Sequence, residues 1–301
     1  MSAAKLIALD WGSTRLRAFL LGDGGAVLAA RQCDAGAATL QGAEAYAAAL
    51  ATLVGDWRAQ HPALKLLACG MVGSQYGWRE APYVRCPAGA AALAAQALAV
   101  DEGLSFIPGL VDDAAQPDVM RGEETQIVGA LALHPGLTED AVLVLPGTHS
   151  KWARVKAGQV TGFATHMTGE LFALLRQHSV LNRLMPADGS SPASPTAFLK
   201  GVDAAREPGS LSHQLFAVRT LGLFKQLSSE QLPDYLSGLL IGHEIAAELK
   251  QASQRVALIG EPALCARYAQ ALQHLGQPAP LLLDNTAPAG LWALAQTMRL
   301  I

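Results

Sequence analysis

The sequence has little charge, few cysteines and no long apolar run. Asp, Glu, Lys and Arg make up only 16% of the 301 residues, and the net charge is −3. That leaves no general basic field, which argues against a nucleic-acid binder. No uninterrupted apolar stretch reaches the roughly 18 to 20 residues needed to cross a bilayer. The run that follows Lys5 is of strand length, too short for a signal peptide. The four cysteines, Cys33, Cys69, Cys86 and Cys265, form no CxxC pair. Such scatter fits buried thiols in a reducing cytoplasm better than disulfides or zinc. What the chain does have is apolar residues, 51% of the total. A large core is therefore expected and disorder is not. The length suggests two domains or one large one.

The most informative stretch is LIALDWGSTRLRAFLL, residues 6–21. Residues 6–9 read as a buried strand that ends at Asp10, and residues 15–21 read as a second strand. Between them lies a tight polar turn of Gly12, Ser13 and Thr14. A carboxylate at a strand end can hold hydrated Mg²⁺, a hard cation that prefers oxygen. Gly12 lets the backbone approach a ligand, and the hydroxyls and N–H groups of Ser13 and Thr14 can face phosphate oxygens. An ordinary hairpin turn is the alternative reading of the same five residues.

A third strand is expected at 27–33. A helix at 42–60 should bury Leu50, Leu53, Val54 and Trp57. A strand at 65–69 then leads into the glycine-broken polar segment 70–87. An alanine-rich helix is expected at 87–100, a strand at 104–111 and a helix at 121–134. The opening pattern then begins again: a strand at 141–145, the turn PGTHSKW at 146–152, and strands at 152–156 and 159–166. Helices are expected at 169–185 and over most of 196–250, with a Ser/Pro/Gly-rich loop at 188–195. A strand at 255–260, a helix at 262–275, a strand at 281–283 and a helix at 288–298 complete the reading. The duplicated meander is a weak internal repeat. It implies two similar α/β domains, each presenting a glycine-hydroxyl turn to a cleft between them, a common kind of ligand site.

DWGST and PGTHSK resemble the two phosphate motifs of the actin-like sugar-kinase superfamily. The stretches GMVGSQYGWREAPY at 70, DVMRGEETQ at 118, LPGTHSKW at 145, FATHMTGELFALLRQHS at 163 and LSGLLIGHE at 236 resemble the 2-dehydro-3-deoxygalactonokinase family. The resemblance implies an α/β fold of two ribonuclease H-like (actin-like ATPase) domains. Residues 1–134 would carry the first phosphate motif and the sugar-acid site. Residues 135–301 would carry the second phosphate motif and the adenosine site. It also implies ATP-dependent phosphorylation of 2-dehydro-3-deoxy-D-galactonate at its 6-hydroxyl, with Mg²⁺, in the cytoplasm. ATP and a small sugar acid are the expected partners, with no nucleic acid and no membrane; a homodimer is left open. One rival is a polyphosphate or nucleotide hydrolase of the same superfamily. Another is a non-catalytic binding protein built on the fold.

On that resemblance Asp10 is expected to organise Mg²⁺, the alternative being a strand-end aspartate hydrogen-bonded to its own turn. Gly12, Ser13 and Thr14 are expected to cradle phosphates from the first half, and Gly147, Thr148 and Ser150 from the second. Lys151 is either a point charge for phosphate or a solvated strand residue, and His149 reads as a hydrogen-bonded structural residue. Glu123 and Glu124 fall in the first turn of a helix and point about 100° apart. One of them is expected to be the general base, Glu123 ahead of Glu124, with Asp118 as outsider. A helix N-terminus should lower the pKa of either glutamate and keep it ionised; the alternative is that both only favour the helix start. Arg17, Arg79 and Arg121 are candidates for the substrate carboxylate, since guanidinium binds carboxylate in two places. Gln75, Tyr76 and Trp78 around Arg79 make a sugar-like mixture, and Arg17 is alternatively structural. Gly260, in Gly-Glu-Pro, loosely resembles the adenosine motif but lacks its usual double glycine. Gly169 and Glu170 are expected to line the nucleotide site, Glu170 alternatively being only an N-terminal helix residue.

Overall fold

The computed structural model describes residues 3–101, 103–114, 116–186, 193–249 and 255–301. Three antiparallel strands open the chain: β1 (Leu6–Trp11), β2 (Leu16–Leu21) and β3 (Val27–Cys33). Helix α1 (Gly42–Gln60) follows and buries Tyr46, Leu50, Leu53, Val54 and Trp57, which includes the face read from its periodicity. Strand β4 (Lys65–Cys69) pairs parallel with β1 and places Asp10 opposite Cys69.

The next stretch departs from expectation. After β5 (Tyr83–Arg85), α2 is only Ala90–Ala95, and β6 (Leu98–Ala99) pairs with β7 (Leu104–Phe106). Alanine is the strongest helix former, but propensity is a weak prior, and strand pairing overrides it here. The expected strand 104–111 is split at Pro108, which has no N–H to carry a ladder onward. Its second part is β8 (Gly109–Asp112), which joins β5 and β9 (Asp118–Met120) in a small separate sheet. Helix α3 (Glu123–Leu133) follows.

Strands β10 (Asp140–Leu145), β11 (Ser150–Lys156) and β12 (Gln159–His166) repeat the opening pattern. Helix α4 (Thr168–His178) ends earlier than expected, in a 3₁₀ turn at Val180–Leu184. The helical region beyond it is α5 (Pro195–Ala204), α6 (Leu211–Leu223) and α7 (Leu232–Glu248). Most of the expected 188–195 loop lies outside the described residues. Strand β13 (Val256–Ile259), helix α8 (Pro262–His274), strand β14 (Leu281–Leu283) and helix α9 (Ala287–Thr297) complete the order.

One sheet runs β3-β2-β1-β4-β7-β6 and another β12-β11-β10-β13-β14. Both contain the same sequence of neighbours: third, second and first strand, then later ones, three in the first sheet and two in the second. The internal repeat read from the glycine turns is therefore a repeat of topology. Contacts group the chain into two units: 1–143, 153–164 and 283–301 in the first, and 144–152 and 165–282 in the second.

Each unit contains a helix crossing that requires glycine. In the first, a Cβ at Gly290 on α9 would lie 1.9 Å from the Thr125 carbonyl, and one at Gly129 on α3 would lie 2.0 Å from the Thr286 carbonyl. In the second, a Cβ at Gly238 on α7 would lie 1.9 Å from the Phe198 carbonyl on α5. The core of the first unit includes an aromatic group in which Trp78 stacks on Tyr46 at 5.8 Å and meets Trp11 edge-on at 6.1 Å. Trp78 is half-buried and packs against this core with one side of its ring.

Candidate active site

In the first unit, β1 delivers Asp10 to the rim of an open depression of about 570 Å³ whose lining includes Gly12, Thr14, Arg15 and Arg17. The 12–14 turn is closed by Gly12 N–H donating to the Arg15 carbonyl at 2.9 Å. It is held from outside by Ala37 and Ala38, whose N–H groups donate to the Gly12 and Ser13 carbonyls at 2.9 and 3.0 Å. The turn's carbonyls are therefore tied back, while Ser13 and Thr14 are exposed. Asp10 accepts from Arg17 Nη1 at 3.3 Å and from the Asn285 side chain. Burial raises its carboxyl pKa, and the Arg17 cation and the hydrogen bonds partly pull it back. A buried carboxylate whose charge is only partly compensated suits a cation. Among the described residues no three His, Cys, Asp or Glu gather as a metal cage. One carboxylate plus water and phosphate is how Mg²⁺ is commonly held.

Gly12 and Gly147 differ from the glycines of the helix crossings. A Cβ at Gly12 would meet only the Arg15 carbonyl, at 3.7 Å, and one at Gly147 would meet nothing within 4 Å. Neither has a positive φ. Neither packing nor conformation demands glycine there, so what the missing side chain leaves bare is backbone that a ligand can approach.

Helix α3 starts at Glu123, after Gly122 with φ 107°. Glu124 is 1% exposed and accepts from the Gly122 N–H at 2.6 Å and from the Thr125 hydroxyl at 2.9 Å. Its pKa is pushed up to about 8 by burial and by the charge of Glu123. This corrects the expectation that the helix start keeps it ionised: desolvation outweighs the helix dipole, whose effect is small even at favourable sites. Glu123 is half-buried and accepts from the Arg121 N–H at 3.1 Å. Asp118 lies on β9, where it accepts from the Val119 N–H at 2.7 Å. Asp10 and Glu124 both act on the buried Cys69, whose thiol pKa is raised first by desolvation and then by these two charges.

The three arginine candidates have separate fates. Arg17 pairs with Asp10 as described, and Arg79 is exposed and donates to the Val100 carbonyl at 3.3 Å. Arg121 is 8% exposed, lies 4.2 Å over the Tyr83 ring and donates from Nη2 to the Ala81 carbonyl at 2.8 Å. Its Nε and Nη1 have no hydrogen-bond partner among the described residues. A buried cation with unmet donors calls for an anion. Gln75 and Tyr76 are exposed in the same 70–83 segment that supplies Ala81 and Tyr83.

In the second unit the 147–150 turn borders a cavity of about 320 Å³, lined among others by Gly169, Phe172, Asp234, Arg267 and Tyr268. Gly169 packs so tightly that a Cβ would lie 2.4 Å from the Gly147 carbonyl. The Glu170 N–H donates to the Thr148 carbonyl at 3.0 Å, and His149 Nε2 meets the Glu170 carboxylate at 2.5 Å. Lys151 is buried, with its ammonium donating to the Thr165 hydroxyl at 2.8 Å, which removes the solvated-strand alternative. Ser150 is fully buried, and its hydroxyl meets Tyr268 at 2.9 Å, so it braces the turn from inside instead of facing phosphate. Gly260 has φ 144°, favouring glycine, and lies near the Pro146 carbonyl. Beyond it, Glu261 caps α8 by accepting from the Ala263 and Leu264 N–H groups at 3.1 and 2.8 Å.

Sequence reasoning missed Asn285, Phe172, Asp234, Arg267, Tyr268 and Glu244. Only Glu244 left a signal, as a carboxylate inside the apolar stretch LSGLLIGHE.

A sequence profile described as 2-keto-3-deoxy-galactonokinase matches residues 10–294. The 2-dehydro-3-deoxygalactonokinase of Escherichia coli K12 is 38% identical over 299 residues, 98% of this chain and 99% of that one. A Sinorhizobium meliloti crystal structure named for the same kinase superposes with a TM-score of 0.86 at 34% identity, covering 97% of this chain and 99% of that one. The activator of the 2-hydroxyisocaproyl-CoA dehydratase from Clostridium difficile, with bound ADPNP, superposes at 0.52 over 98% of this chain and 96% of that one. At 12% identity that last likeness concerns the fold alone, the actin-like ATPase fold. With a family match across nearly its whole length, the chain belongs to the 2-keto-3-deoxy-galactonokinase family.

Proposed function

We propose that this protein transfers the γ-phosphoryl group of ATP to the 6-hydroxyl of 2-dehydro-3-deoxy-D-galactonate. The observation that carries the reading is the pair of turn glycines, Gly12 and Gly147, whose bare backbone is needed neither for packing nor for conformation. Phosphate oxygens are the ligands that such turns accept. The 12–14 turn and the 147–149 turn receive the phosphates, and the cavity at Phe172 and Arg267 receives the nucleoside. Asp10 would hold Mg²⁺, which when bound would supply charge neutralisation for the phosphate oxygens.

Arg121 supplies the cation for the sugar-acid carboxylate, through a single N–H of Nε or Nη1, which have no partner among the described residues. Glu123 takes the proton as the 6-oxygen attacks the γ-phosphorus and the bond to the ADP oxygen breaks. The reaction needs little covalent help from the protein beyond positioning, charge neutralisation and this base. Glu124 is the poorer base because both its oxygens are engaged inside the helix start. We assign the sugar-acid site to residues 1–134, the adenosine site to 135–301, and the work to the cytoplasm; among the described residues no helix is long and apolar enough to cross a membrane.

A coupled ADP-release assay across a panel of 2-keto-3-deoxy sugar acids tests the reading. ADP formation should depend on the sugar acid and be fastest with the galactonate derivative. ADP release at the same rate without sugar would point to a hydrolase.

A further inference from the structure

Three of the sequence stretches, around Trp152, Thr168 and Glu244, meet at one buried carboxylate in the second unit. Glu244 on α7 is 2% exposed. Trp152 Nε1 donates to its Oε1 at 2.5 Å, the Tyr268 hydroxyl donates to Oε2 at 2.8 Å, and the Thr168 hydroxyl also donates to Oε2. Tyr268 Oη is in turn 2.9 Å from Ser150 Oγ, which accepts from the Gly147 N–H at 3.4 Å.

Each hydroxyl has one proton, so one direction satisfies the whole chain. Gly147 N–H donates to Ser150, Ser150 donates to Tyr268, and Tyr268 donates to Glu244. The relay ends on a group that, when ionised, only accepts and has lone pairs for all three donors. Burial raises the Glu244 carboxyl pKa, and the bonds from Thr168, Trp152 and Tyr268 pull it back. Networks of this kind are stiff when complete and costly when one member changes.

We infer that Glu244 is the positioning residue of the second phosphate turn, holding residues 147–150 through Tyr268 and Ser150 and the start of α4 through Thr168. The start of α4 is the turn's other support, since Gly169 packs on the Gly147 carbonyl and Glu170 N–H binds the Thr148 carbonyl. Glu244 therefore fixes both sides of the turn without touching a ligand. The inference rests on the reading that this turn receives ATP phosphates.

Two variants test it. Glu244→Gln keeps the volume but replaces one of the two oxygens that share three donors with an N–H group, which can accept from none of them. Tyr268→Phe removes one oxygen and cuts the relay to Ser150. Titration calorimetry with the β,γ-imido analogue of ATP, and separately with the sugar acid, is run below the melting temperature of each protein. Both variants should bind the analogue about five- to twentyfold more weakly, the usual cost of an orphaned buried hydrogen-bonding group. Sugar-acid affinity should stay within twofold of wild type, a selectivity that general loosening of the fold would not give. Analogue affinity within twofold of wild type in either folded variant, or equal losses for both ligands, would overturn the inference. If Glu244→Gln does not fold, Glu244→Asp, which keeps the charge but shortens its reach to Trp152 and Tyr268, takes its place with the same expected result, because Tyr268 also lines the nucleoside cavity. Failure of the wild-type protein to bind the analogue would instead strike the phosphate-turn reading itself.

Discussion

Glu124→Gln is expected to abolish a large part of the protein's pH-dependent stability. Folding moves the Glu124 carboxyl from its ordinary 4.5 to about 8, because it is buried beside Glu123. For an acid raised in this way, the folded state holds the proton more tightly than the unfolded chain. Its contribution is fully present below the unfolded pKa and is lost as pH rises through the folded one. A shift of that size corresponds to about 5 kcal/mol in total, of which about 3 to 4 kcal/mol is lost between pH 5 and pH 8. Glutamine cannot ionise, keeps the volume and still accepts from the Gly122 N–H. The variant should therefore gain on wild type by that amount over the same interval, while other titrating groups cancel in the comparison. Urea unfolding at a series of pH values measures it. Four of the five tryptophans, Trp11, Trp57, Trp78 and Trp292, lie in the same unit as Glu124, so their fluorescence follows the relevant transition. Parallel stability curves for variant and wild type from pH 5 to pH 8 would refute the argument.

Glu123→Gln should lower kcat by about 10² to 10⁴ with the sugar-acid KM nearly unchanged, since loss of a general base has that typical cost. Glu124→Gln should keep most of its activity, and steady-state kinetics in which the two variants fall together would remove Glu123 from its role. Arg121→Lys should raise the sugar-acid Kd about tenfold or more and leave ATP binding intact, because a compact ammonium cannot reproduce the planar guanidinium stacked on Tyr83 and tied to the Ala81 carbonyl; an unchanged Kd by calorimetry would dismiss it as the carboxylate anchor. Gly238→Ala should destabilise the second unit by about 1 to 3 kcal/mol or more, since its Cβ would sit 1.9 Å from the Phe198 carbonyl and force α5 and α7 apart; unchanged unfolding would contradict the close crossing.

The sequence disclosed what is local. Both meanders were legible because alternating apolar residues broken by glycine and hydroxyl turns leave a short-range pattern, and α1 was legible from its period. Pro108 split an apparent strand because partner choice, between β4 and β5, is a long-range matter. The alanine run at 87–100 looked helical for want of any local sign that Leu98 and Ala99 pair with β7. Within the site, the two turns and the Glu123–Glu124 pair were legible. The inward hydroxyl of Ser150 was not, because Tyr268, its partner, lies 118 residues away. Arg121 separated from Arg79 only once the fold buried one and left the other in solvent.

The contact of α9 with α3 has a consequence for synthesis. The helix that begins with Glu123 is closed on one side by Gly290 and by the Thr286 hydroxyl, which donates to the Gln126 carbonyl at 2.6 Å, while Asn285 supports Asp10. A ribosome delivers residues 1–143 long before it delivers 283–301. Until residues 283–301 emerge, the first unit waits with an uncovered helix face and with Asp10 held by Arg17 but still lacking its Asn285 donor. The carboxylates proposed to act in this site are thus made early and set in place only after residues 283–301 have emerged.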